Sequence, residues 1–181
     1  MATRSYISKE LDDGKIKLIY CHSDGYLTHN GALLIDHFSD DEKLDELLAL
    51  GDISFLAPNI HPTKNNHNFD FSKREEGVVV AYARDRGDEG MDARIISMEE
   101  VDDFFEESWA NYFYIFTKDK EWKFFNCSNK NLRSVSESLA IEYEELGFPR
   151  PKGFYGFFTE ENAEKHREEH QNKVKQNEGE M

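Results

Sequence analysis

The sequence predicts an α+β fold: a mainly antiparallel sheet of about five or six strands, with helices on one side and a polar C-terminal helical extension. Three observations predict it. Short runs alternate apolar and polar residues with the period of two that half-buried strands show. Two Ser-x-x-Glu capping boxes open short amphipathic stretches. Clusters of Asp, Asn, Gly and Pro separate the runs, as turn residues do.

Residues 4–8 and 15–20 read as a hairpin around Asp12-Asp13-Gly14. In its second strand Ile16, Leu18 and Tyr20 share one face and Lys15 and Lys17 the other. Ser23-Asp24-Gly25 breaks the chain, and a short helix follows at about 30–38. Ser39 and Glu42 form the first capping box; the helix it opens aligns Leu44, Leu47 and Leu48 and stops at Gly51. Residues 57–76 hold two prolines and four asparagines and read as a long surface loop, a kind of segment that usually carries function. A Val-rich strand is expected at 77–82 and another at 92–97. The second capping box, Ser97 with Glu100, opens a helix to about Glu107.

Residues 111–117, NYFYIFT, are apolar on both faces and read as a central strand, followed by a strand at 121–126 with Trp122 and Phe124 on one face. Residues 132–146 form an amphipathic helix that ends at Gly147-Phe148-Pro149-Arg150-Pro151. From Thr159 to Asn177 the chain has helical Glu–Lys spacing but almost no apolar residue apart from Ala163 and Val174, so a fraying or disordered tail is expected. The organisation is therefore a core at 1–126, a helix with a Pro/Gly/aromatic segment at 127–158 packed on it, and a charged tail at 159–181.

The chain has 181 residues, enough for one domain with a true core, and 37 acidic residues against 22 basic ones, a net charge of −15. That balance argues against direct nucleic-acid binding and against an anionic membrane surface. It fits either a solvated acidic surface or a protein that imitates nucleic acid on a basic partner. No run approaches the roughly 18 apolar residues of a membrane span. The N-terminal MATRSYISKE lacks an apolar signal core, and the two cysteines, Cys21 and Cys127, are expected as free thiols in a cytoplasmic setting.

Several segments resemble a family of uncharacterised proteins found mainly in bacteriophages and prophages. They are ATRSYI at the N-terminus, IYCHSDGY at 19–26, the Gly31, Leu34, His37 spacing, LGDIS at 50–54, HNFD at 67–70 and VVAYARDRGDE at 79–89. The hairpin NYFYIF followed by EWKFF resembles the family's closing strands, so the likeness covers roughly residues 2–126. The family carries an aromatic or apolar residue at position 23 and often Pro at 27, where this chain has Ser23 and Leu27. The resemblance implies a phage or prophage origin, hence the cytoplasm of a host cell, and no reaction.

Among the chemistry-bearing residues, Arg84-Asp85-Arg86-Gly87 ends a strand, and alternation sends both arginines to one side. Two guanidiniums there make a fork for phosphate or carboxylate, with Asp85 orienting them. The competing reading is that each arginine pairs with a neighbouring carboxylate. His22, Asp24 and Tyr26 alternate at the end of the other well-marked strand, and His67 and Asp70 come from the long loop. Together these eight residues are the expected ligand-binding set, with the loop as a lid.

The residues carry no zinc-type spacing, Walker loop, GxSxG elbow or GxGxxG, so neither a metal nor a cofactor is expected. A strand-end cysteine such as Cys21 reads as a small buried hydrophobe sooner than as a nucleophile. His37 ranks below His22, as a residue capping helix carbonyls.

Three functions follow. The first is a cytosolic accessory protein of phage type that binds a phosphorylated small molecule such as a nucleotide, or a host protein, and counteracts host defence. The second is a small phosphoesterase using His22 or His67 as acid or base. The third is an acidic interaction protein or nucleic-acid mimic.

Overall fold

In the computed structural model, which describes residues 2–180, the chain is an α+β fold built on one eight-stranded, mostly antiparallel sheet. Met1 and Met181, the outermost residues of the core and tail expected above, lie outside the described residues. The elements in order are β1 (Ser5–Glu10), β2 (Ile16–Cys21), a π-helical turn (Leu27–Gly31) running into α1 (Ala32–His37), α2 (Asp41–Ala49), β3 (Ile53–Phe55), β4 (Val80–Ala81) and α3 (Tyr82–Arg86). There follow β5 (Arg94–Ile96), α4 (Val101–Glu107), β6 (Tyr112–Phe116), β7 (Trp122–Asn126), β8 (Asn129–Ser134), α5 (Val135–Leu146) and α6 (Glu160–Gly179).

The sheet order is β4-β3-β2-β1-β6-β7-β8, with β5 also paired to β2. The expected hairpin forms in the register Ser5 opposite Cys21 to Glu10 opposite Ile16. β1 pairs parallel to β6 on its other side, so β6 is central and buried on both faces. Period two then divides the core. Ile7, Ile19, Tyr114, Phe116 and Phe124 face a layer made by α1, α2 and α5. Tyr6, Ile16, Leu18, Phe113 and Phe125 face the opposite way, under Val101 and Phe105 of α4.

The outer edge of β2 is shared: β5 pairs with its first half and β3 with its last residue. At this fork Asp52 accepts hydrogen bonds from the Tyr20 N–H (2.8 Å) and from Arg94 (3.3 Å), which fills the gap in the ladder. Gly51 ends α2 at φ +75°, and the Asp52 N–H donates to Met91 O (2.7 Å) across the same gap.

Four local expectations change. The first capping box does not form. Asp40 is the N-cap of α2, accepting from the Lys43 N–H (3.0 Å), while the Ser39 hydroxyl bonds back to Ile35 O (2.9 Å). The second forms as expected around Ser97 and Glu100. The strand expected at 77–82 is only Val80–Ala81, because the Asp85 carboxylate accepts from the Ala81 N–H (2.8 Å) and starts a helical turn that Gly87 (φ +81°) stops. β8 occupies 129–134, part of which reads as helix from sequence. It is an edge strand with a single apolar residue, Leu132, so no period betrays it, and Asn126 accepts from the N–H groups of Ser128 and Asn129 to turn the chain.

The tail is helical over Glu160–Gly179, capped by Thr159. Its first half is docked rather than frayed: Ala163 is buried, His166 stacks on Phe148 and Arg167 lies against Gly147. Every residue from 171 to 180 is exposed.

Candidate functional site

Arg84, Asp85 and His67 do meet, in a network that ties the long loop to the sheet. Arg84 bonds both Asp85 oxygens (2.9 and 3.0 Å), Ile60 O (2.6 Å) and Val79 O (2.7 Å). Four of the five N–H donors of a guanidinium are thus consumed by the protein. His67 Nδ1 accepts from the Glu75 N–H (2.9 Å), which places its proton on Nε2. That nitrogen lies 3.3 Å from Asp85 Oδ2 but too poorly aligned for a hydrogen bond. Burial works to raise the Asp85 carboxyl, but Arg84 and the Ala81 N–H outweigh it and hold it below the ordinary range.

The arginine fork is absent. Arg84 and Arg86 sit two residues apart on a helix, about 200° around its axis, where a strand would have put them on one side. Arg86 pairs with Asp88 (2.9 and 2.7 Å) and lies over the rings of Phe69 (4.2 Å) and Tyr82 (5.1 Å). Each guanidinium therefore has its own carboxylate. Asp70 caps the short turn Phe71–Lys73 through the Ser72 N–H (2.9 Å).

His22 and Tyr26 diverge as well. Asp24 takes φ +54°, so strand alternation ends before Tyr26. His22 Nδ1 bonds the Tyr20 hydroxyl (2.9 Å), whereas Tyr26 stacks on Phe157 (3.6 Å between centroids). Cys21 is fully buried, its thiol pushed up to about 11 by that burial. Among the described residues no three His, Cys, Asp or Glu side chains are placed to hold a metal ion.

An apolar hollow lies among α1, α5 and α6. α5 ends at Gly147 in the left-handed conformation (φ +89°), so the chain doubles back and Phe148 tucks under the helix. The following residues, 149–158, form a strap between α1 and α6. Phe148 meets Tyr143 and Phe158 edge-on. The cleft left over measures about 690 Å³ and is walled by Ile35, Leu139, Ala140, Tyr143, Phe148 and Pro149, with Glu144, Arg150 and His170 at its rim. Small-molecule sites span ~300–1,000 Å³ and are mainly apolar with few polar groups, as here. A second hollow of about 680 Å³ adjoins through Arg150 and is lined by Asp36, His37, Lys152 and Tyr155.

A clasp holds the strap to α1 between the two hollows. Arg150 makes a bidentate pair with Asp36 (2.9 and 2.8 Å), and the Tyr155 hydroxyl donates to Asp36 Oδ2 (2.8 Å). With its only proton given to the carboxylate, Tyr155 accepts from His37 Nε2 (2.8 Å), which fixes the histidine tautomer. Burial works to raise the Asp36 carboxyl, but the bonds from Arg150 and Tyr155 hold it below the ordinary range. Tyr155 is pushed up to about 12, by burial first and then by Asp36. Burial and then the Lys43 charge lower His37.

Tyr143 is 3% exposed, and no protein group accepts or donates to its hydroxyl. Burial raises its phenol, with the charge of Arg150 acting the other way. Sequence reasoning passed over this site. The signal was present in FPRPKGFYGFF at 148–158, since aromatics that dense outside any period mark a segment that packs its rings against the core.

Comparisons of the chain with models of known families, with curated proteins and with solved structures found no match.

Proposed function

We propose that the protein is a cytosolic accessory binding protein, of phage type by its sequence resemblance, that captures a small ligand with an apolar body in the cleft between α1, α5 and the strap. The observation that carries the reading is the cleft itself, an apolar hollow of about 690 Å³ walled by Ile35, Leu139, Ala140, Tyr143, Phe148 and Pro149, which is the size and character of a small-molecule site. The arginine set at 84–86 lends the reading no support, because its donors are committed to the fold.

The test is titration with a neutral polarity-sensitive dye such as Nile red. Ala140 lines the cleft from an exposed position, so Ala140→Trp fills the space without entering the core. Saturable binding by the parent protein, lost in Ala140→Trp at unchanged melting temperature, supports the proposal. Equal binding by both proteins, or none by the parent, refutes it.

A further inference from the structure

We infer that the occupant of the cleft is an amphipathic anion: an apolar chain or ring between α5 and the strap, ending in a carboxylate or phosphate held at Arg150 and Lys152. This rests on the reading of the cleft as a ligand site and adds the chemistry of the head.

Two observations place an anionic head at one end. Arg150 borders both hollows and spends two N–H donors on Asp36. Of its other three donors one faces the Tyr155 hydroxyl and two meet no protein acceptor among the described residues, in contrast to Arg84. The Asp36 carboxylate fixes the guanidinium plane, so those donors are oriented before anything binds. Lys152, in the adjoining hollow, is exposed and joins none of the ion pairs among the described residues, in a chain with 37 acidic and 22 basic residues.

The surrounding carboxylates do not cancel the site. Asp36 already carries Arg150, and Glu144 projects from α5, the element that supplies the apolar wall, and not from the strap that carries Arg150 and Lys152. The apolar wall excludes a fully hydrophilic anion such as free phosphate as the best occupant, because the larger hollow would then stay unfilled.

The experiment uses the full chain and calorimetric titration with three sets of the same chain lengths: alkyl carboxylates, alkyl phosphates and alkyl alcohols. Affinity should rise about fourfold per added methylene until the cleft is full, the equivalent of ~0.8 kcal/mol. At equal length the alcohol should bind at least tenfold more weakly than the better of the two anions, as loss of hydrogen bonds to a charged group predicts. The two anion series identify which head is preferred.

Lys152→Gln should weaken the anions about two- to fivefold, less at high salt, and leave the alcohols unchanged. Alcohols binding as tightly as anions, or Lys152→Gln changing both alike, would overturn the inference while the cleft reading survives on the dye result. Dye binding with no response to any of the three series also overturns it, and an apolar peptide as the only occupant does the same. If the dye fails too, the cleft reading falls first.

Discussion

Tyr143→Phe should make the unliganded protein more stable, against the usual direction for a buried substitution. The change removes a single oxygen from a side chain that is 3% exposed and has no protein hydrogen-bond partner. Relief of an unsatisfied buried polar group contributes about 1–3 kcal/mol, and the small void left by the oxygen offsets part of that. A net gain near 1 kcal/mol is expected. For a domain of this size that corresponds to a melting temperature higher by ~2–4 °C. Tyr114→Phe supplies the opposite sign in the same fold. Its hydroxyl donates to Gly25 O at 2.7 Å, and it is fully buried, so Phe there loses a bond and leaves a carbonyl unsatisfied. Its melting temperature should fall by at least the same ~2–4 °C. Both are read by circular dichroism at equal protein concentration. If Tyr143→Phe melts lower, as Tyr114→Phe does, the hydroxyl makes a stabilising bond and the reasoning from an orphaned group is wrong.

The remaining predictions concern the network, the clasp and the tail. Arg84→Ala should destabilise by about 3 kcal/mol, because it leaves the Asp85 carboxylate buried and two carbonyls without donors, whereas Arg86→Ala should cost far less, since its ion pair is exposed and screened by solvent; equal costs in urea melts would refute the division. The depressed Asp36 carboxyl binds fewer protons in the folded than in the unfolded chain at acid pH. Its contribution is therefore complete above the ordinary carboxylate value of about 3.9 and is lost as pH falls through the lower folded value. The stability difference between the parent and Asp36→Asn, measured from pH 7 to 2, should shrink only in that acid window; a constant difference would mean that the clasp does not depend on the charge. Removal of residues 172–181 should leave the melting temperature unchanged, whereas removal from Thr159 onward should lower it by stripping His166 from Phe148 and Phe158 and uncovering them.

Much of the sheet was legible in the chain because its signals are local. The hairpin at 4–20 declared itself by alternation and by Asp12-Asp13-Gly14, and 111–117 by being apolar on both faces. The capping box at Ser97 needed only its own four residues. The misreadings came where a side chain's hydrogen bond to nearby backbone, or an edge offered by a neighbouring strand, overrode the periodic pattern. Asp85 reaching the Ala81 N–H turned an expected strand end into a helix, and with it removed the arginine fork. β8 exists because β7 offers it an edge and because Asn126 turns the chain, neither of which periodicity records.

The candidate site divides along the same line. Composition and local pattern determined the fold class, the acidic surface and the presence of an aromatic-rich segment after α5, since propensity, charge and period are properties of neighbouring residues. Only the tertiary structure decided that Asp36, His37, Arg150 and Tyr155 form one clasp across more than a hundred residues of chain. It also decided that Arg84 is committed to the fold while Arg150 keeps free donors. Hydrogen-bond donors are consumed or spared by whatever packs against them, and that packing is settled by the collapse of the whole chain.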